Sequence, residues 1–92
     1  MKDQIKENIT ERQLNILAYF LEADHDFAYR YDTIQDWTYL SREVLQQEIK
    51  ILRDWGLIDW VRGLLDDEGY AAGSGFQINY NKISYIRKLL DK

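Results

Sequence analysis

Apolar residues recur along this chain at two spacings, and the switch between them predicts its elements. Leu14, Leu17, Ala18 and Leu21 follow a helical period, with Ile16 and Phe20 widening the apolar face, so residues 11–23 are expected to form one strongly amphipathic helix. Thr10-Glu11-Arg12-Gln13 sets its start as a capping box, in which the Thr hydroxyl accepts an early backbone N–H and the Gln side chain reaches back to the cap. Ile5 and Ile9 extend or flank this helix. Residues 24–31 break the period, and Phe27, Tyr29 and Tyr31 then alternate as in a loop that runs into an edge strand. Asp32-Thr33 offers an N-cap for a short second helix that turns Ile34 and Trp37 inward and ends near Thr38.

Ser41 is the next cap, and Arg42 to Trp55 reads as a helix with a buried stripe of Leu45, Ile49 and Leu52 and with Val44 at its margin. Gly56 stands where such a helix should stop. From there the spacing changes to that of strands. Residues 57–62 are rich in strand formers, Gly63 to Gly75 is full of glycine and acidic residues, and Phe76 to Tyr80 alternates again, which predicts a hairpin with a long loop. A last helix over residues 81–90 would bury Ile83, Ile86 and Leu90 and leave Lys82, Arg87 and Lys88 to solvent. The expected fold class is α+β, mostly α, in one domain spanning residues 1–92, without repeats or linkers.

Composition narrows this further. A hydrophobic content of 46% is ample for one core in a chain of 92 residues. Tyr19, Tyr29, Tyr31, Trp55, Trp60, Tyr70, Tyr80 and Tyr85 are too many rings for that core, so some must reach the surface or an interface. The absence of cysteine removes disulfide and zinc-ribbon designs and favours a reducing compartment, the cytoplasm. No stretch reaches the roughly 18 apolar residues of a membrane span, so a soluble chain is expected.

The formal charge of −4 argues against a generic polyanion binder, but its distribution is uneven: residues 81–92 carry four cations against Asp91 alone. Chemistry is sparse. His25 is the only histidine, and Asp24 and Asp26 beside it make neither a catalytic pair nor a metal site without further convergent ligands. Gly73-Ser74-Gly75 lacks the Lys-Ser or Lys-Thr of a phosphate loop and opens a strand instead of a helix. Neither an enzyme nor a cofactor or metal site is expected.

The order of helix, short helix, tight turn, longer helix, hairpin and helix fits one known architecture. The segment from Trp37 to Ile58, with Leu40-Ser41, Leu52 and Gly56-Leu57-Ile58 at the hallmark places, resembles the recognition segment of winged helix-turn-helix domains. Gly75 to Tyr80 looks like the family's second wing strand, and Ile9 to Leu17 is similar to the first helix in bacterial one-component regulators and phage replication proteins. The resemblance implies a three-helix core, a two-stranded wing and a C-terminal helix. It also implies a transcriptional regulator that binds double-stranded DNA, placing the helix of residues 41–55 in the major groove, and it suits a homodimer on a palindromic site.

Arg42 is chemically suited to guanine, Gln46 and Gln47 to adenine, and Lys50 to a phosphate. Thr38, in the turn before the helix, would anchor on the backbone, Ser41 would enter the groove with the start of the helix, and Arg62 would meet a phosphate from the base of the wing. Arg42, Lys50 and Arg53, joined by the C-terminal cations, should then form a positive strip. The alternative is a winged helix that docks a protein partner. Asp66-Asp67-Glu68 in the wing would repel phosphate, and the acidic wing or exposed aromatics would be the contact surface.

Overall fold

Thr10 adopts an extended conformation and caps the helix Glu11–Glu22 as a full capping box. The Thr10 Oγ accepts the Gln13 N–H at 3.2 Å, and the Gln13 Oε1 accepts the Thr10 N–H at 2.9 Å. With its amide oxygen satisfied there, Gln13 is buried together with Ile16, Leu17 and Phe20. The inward seam is therefore positions 13, 16, 17 and 20, while Leu14, Ala18 and Leu21, expected to lead it, lie half-buried at its margin.

The computed structural model describes residues 4–65 and 71–91. Its elements are α1 (Gln4–Asn8), α2 (Glu11–Glu22), α3 (Tyr31–Thr38), α4 (Arg42–Asp54), β1 (Ile58–Leu65), β2 (Ala71–Ile78), a 3-10 turn (Tyr80–Lys82) and α5 (Ile83–Leu90). The architecture is α+β and mostly helical. Asp66, Asp67, Glu68 and Tyr70 lie outside the described residues.

Several boundaries differ from the expectation, each for a local reason. The extended cap at Thr10 separates α1 from α2, so Ile5 sits in a helix of its own. Helix α3 starts at Tyr31, capped by Arg30 without a side-chain bond, so Asp32 and Thr33 fall inside its first turn. The strands run further than their alternation indicated and take up most of the stretch expected to be loop, since Leu64 pairs with Gly73 and Leu65 with Ala71 after a shift in register beyond Val61. β2 stops at Ile78, because the Asn79 Oδ1 accepts the Asn81 N–H and turns the chain into the 3-10 turn, leaving Tyr80 outside the strand. The expected edge strand is a single antiparallel bridge of Tyr29 to Phe76, with both N–H···O bonds at 2.7 Å.

Ile16, Leu17 and Phe20 of α2, Ile34 of α3, and Leu45, Ile49 and Leu52 of α4 meet Leu57, Ile58, Phe76, Ile78 and Ile86 in one core. A cluster of rings closes its flank. Trp37 stands edge-on to Phe20 at 5.6 Å and to Tyr29 at 4.8 Å, and its face is stacked with Tyr19 at 6.3 Å. Tyr29, Tyr31, Trp55 and Tyr85 are thus spent in packing against the core, and among the described residues Phe27, Tyr39 and Tyr80 are left well exposed, with Tyr19 and Trp60 partly so. Gly56, at φ 76°, lets the chain leave α4 and enter β1, and the Asn79 amide fixes that corner by donating to the Gly56 carbonyl at 2.7 Å. Among the described residues no helix is long and apolar enough to cross a membrane.

Candidate nucleic-acid interface

The joint between α3 and α4 decides what α4 can present. Helix α3 ends on Tyr39 in the left-handed conformation, φ 58°, with its N–H donating to the Gln35 carbonyl at 2.8 Å. This backbone normally favours glycine and costs a tyrosine on the order of 1 kcal/mol, yet the Tyr39 ring gains no burial in return, being 92% exposed. Thr38 donates its hydroxyl to the Ile34 carbonyl at 2.9 Å and accepts the Leu40 N–H at 3.4 Å. Ser41 accepts the Val44 N–H at 3.3 Å as the N-cap of α4. Both hydroxyls expected at the DNA are thus engaged in building the turn, and Thr38 is half-buried.

Helix α4 buries Leu45, Ile49 and Leu52. At about 100° per residue, positions 42, 46, 50 and 53 then fall in one outward stripe and positions 43, 47 and 54 in the next. Arg42, Gln46, Lys50 and Arg53 therefore share a face, all exposed. Gln47, exposed as well, falls in the second stripe with Glu43 and Asp54. Gln46, Gln47 and Lys50 make no hydrogen bond or ion pair among the described residues.

Aromatic rings continue the stripe toward the hairpin. The Arg42 guanidinium lies 5.0 Å from the Tyr31 ring centre and donates to the Asp32 Oδ1 at 3.1 Å. Tyr31 packs edge-on against Phe76 at 4.8 Å. The Arg53 guanidinium reaches over Phe76 at 5.9 Å and Trp60 at 5.6 Å, and Arg62 covers the same Trp60 ring at 4.4 Å. Since Trp60 pairs across the ladder with Phe76, the hairpin face that buries Ile58 and Ile78 in the core emerges from it at Trp60 and Arg62. The result is one strip from the start of α4 to the hairpin: Arg42, Tyr31, Arg53, Phe76, Trp60 and Arg62.

Burial pushes the Tyr31 hydroxyl above the ordinary tyrosine range, and the positive charges of Arg53 and Arg42 pull part of that rise back. The folded form holds this proton more tightly than the unfolded form. Its contribution to stability is therefore intact below about pH 10 and is lost as pH rises through the higher folded value. The melting temperature should fall between about pH 9 and 11, and by less in Tyr31→Phe, when thermal unfolding is followed at both. An equal fall in the two proteins would show that Tyr31 titrates as if exposed.

The sequence had named Arg42, Gln46, Lys50, Arg53 and Arg62, and the fold brings them to one strip. Tyr31, Asp32 and Trp60 were missed as members, because only the tertiary contacts bring them to the arginines. Lys82, Arg87 and Lys88 are exposed on the 3-10 turn and α5, and α5 packs on α2. Among the described residues they make no ion-pair or ring contact with the strip. His25 is half-buried and donates from Nε2 to the Leu21 carbonyl at 2.8 Å, and the Asp24 carboxylate accepts the Asp26 N–H, so the three serve the loop after α2. No group of three or more His, Cys, Asp or Glu among the described residues is placed to hold a metal ion. Comparison with known protein families, curated proteins and solved structures finds no match to this chain.

Proposed function

We propose that this chain is a small winged helix-turn-helix protein that binds double-stranded DNA in a sequence-specific way, as a transcriptional regulator does. The observation that carries the reading is the strip of Arg42, Gln46, Lys50 and Arg53 along α4, continued by Arg62 on the hairpin. A helix of 13 residues is about 20 Å long, and a major groove about 12 Å wide admits one. Entering by its N-terminal half, α4 would bring Arg42 and Gln46 to base edges, leaving Lys50, Arg53 and Arg62 for phosphates. Within a chain of formal charge −4, the first stripe of α4 carries three cations and no carboxylate, with Glu43 and Asp54 in the stripe beside it.

Titration into a random duplex pool across a salt series tests the proposal. Binding should weaken steeply with salt, and a variant with Arg42, Gln46 and Lys50 changed to Ala should lose it. Enrichment of a palindrome would add a homodimer. The second reading, a winged helix that docks a protein, draws on the exposed rings of Phe27, Tyr39 and Tyr80 together with the acidic balance. No detectable duplex binding at low salt would favour it and overturn the first.

A further inference from the structure

We infer that Arg42 reads a guanine, and that Asp32 and Tyr31 are positioning residues that hold it ready to do so. The inference rests on the duplex-DNA reading and names the base that this residue takes. Arg42 is the first residue of α4, at the end from which a recognition helix meets base edges. Two contacts from a different helix fix its guanidinium. The Asp32 carboxylate accepts from one terminal nitrogen at 3.1 Å, and the Tyr31 ring lies 5.0 Å beneath the group. Tyr31 is itself held by Phe76 at 4.8 Å, so the platform belongs to the core and not to a free surface ring.

An arginine fork has five N–H donors in a plane, and Asp32 occupies one nitrogen, which leaves donors for the O6 and N7 of guanine. Adenine offers a donor where guanine has O6, so the same fork fits it poorly. The pair has little else to do. With side chains 54% and 73% exposed, an ion pair of this kind adds little to stability. A carboxylate beside the arginine also makes it a poor phosphate ligand, because the two charges cancel toward the DNA backbone. What Asp32 supplies is orientation, since a long flexible side chain already held in its bound position loses less freedom on binding.

Selection from the random duplex pool by wild type, Arg42→Lys, Asp32→Ala and Tyr31→Ala tests this, with a thermal melt of each to show that it folds. Wild type should enrich sites with guanine at one fixed position. Arg42→Lys keeps the charge but not the fork, and should lose about tenfold or more of the preference at that position alone. Asp32→Ala should lose about fivefold to tenfold of the same preference while binding unrelated duplex more tightly, because a negative charge has gone. A merely structural residue would not separate those two effects. An unchanged guanine preference in Arg42→Lys or in Asp32→Ala overturns the inference and leaves the duplex-DNA reading standing. A wild-type chain that binds no duplex removes both.

Discussion

Phe20→Ala should destabilise the fold by about 3–5 kcal/mol, the largest effect expected of any single substitution outside the interface. Phe20 is 1% exposed and stands edge-on to Trp37 at 5.6 Å and Tyr29 at 6.3 Å. Its removal leaves a cavity where α2, α3 and the Tyr29 bridge meet, and neither neighbouring ring can collapse into it freely. Trp37 is also tied to Tyr19, and the backbone of Tyr29 is fixed by its two bonds to Phe76. Domains of this size are stable by roughly 5–15 kcal/mol, so the variant would keep only a fraction of its margin. Guanidinium unfolding followed by tryptophan fluorescence measures it. Phe27→Ala is the control, because that ring is 61% exposed and its loss should cost within about 0.5 kcal/mol. Similar midpoints for the two variants would mean that the ring cluster around Trp37 does not hold the helices together.

Periodicity alone located most of the helical fold, because the information that specifies an amphipathic helix is contained within a few turns of it. The stripe of Leu45, Ile49 and Leu52 and the stop at Gly56 are of this kind. The shift of the α2 seam toward Gln13 is not, since a pattern of apolar residues cannot count a glutamine that becomes buried by closing a capping box. The outer part of the hairpin was hidden for a related reason. Its pairing of Leu64 with Gly73 and Leu65 with Ala71 lies within a stretch whose glycines and carboxylates read as a loop, and only the partner strand supplies the hydrogen bonds of these residues.

The candidate interface divides along the same line. Positions 42, 46 and 50 are spaced so that any helix would align them, which is why they were legible together. Gln46 and Gln47 are adjacent in sequence and are grouped for their chemistry, and the helix sets them, both exposed, in neighbouring stripes. The Thr38 and Ser41 hydroxyls, both expected at the DNA, also bond within the joint, as short hydroxyl side chains at a helix end tend to do. Tyr31, Asp32 and Trp60 reach the arginines from a different helix and from a strand, and no local pattern announces such meetings.

Arg53→Glu combined with Arg62→Glu should weaken binding to any duplex at least about a hundredfold at low salt, the largest effect expected on function. Both arginines lie on the Trp60 ring, one from α4 and one from the hairpin, so the double reversal turns the hairpin end of the strip from positive to negative. The dependence of log K on log salt should flatten by roughly two units, one for each phosphate contact removed. The base preferences selected by wild type should survive in whatever binding remains, because neither residue lies at the N-terminal end of α4. Arg53→Gln with Arg62→Gln separates charge from contact, since it removes the positive charges, keeps side chains of similar length and should weaken binding less than reversal does. The packing lost over Trp60 is worth only about 0.5–1 kcal/mol per arginine at an exposed ring, so both double variants should remain folded. Tight binding by the reversed protein would place the hairpin away from DNA and leave α4 to act alone. Equal loss in the glutamine and glutamate variants would make the stacked guanidinium planes, and not their charge, the part that DNA meets.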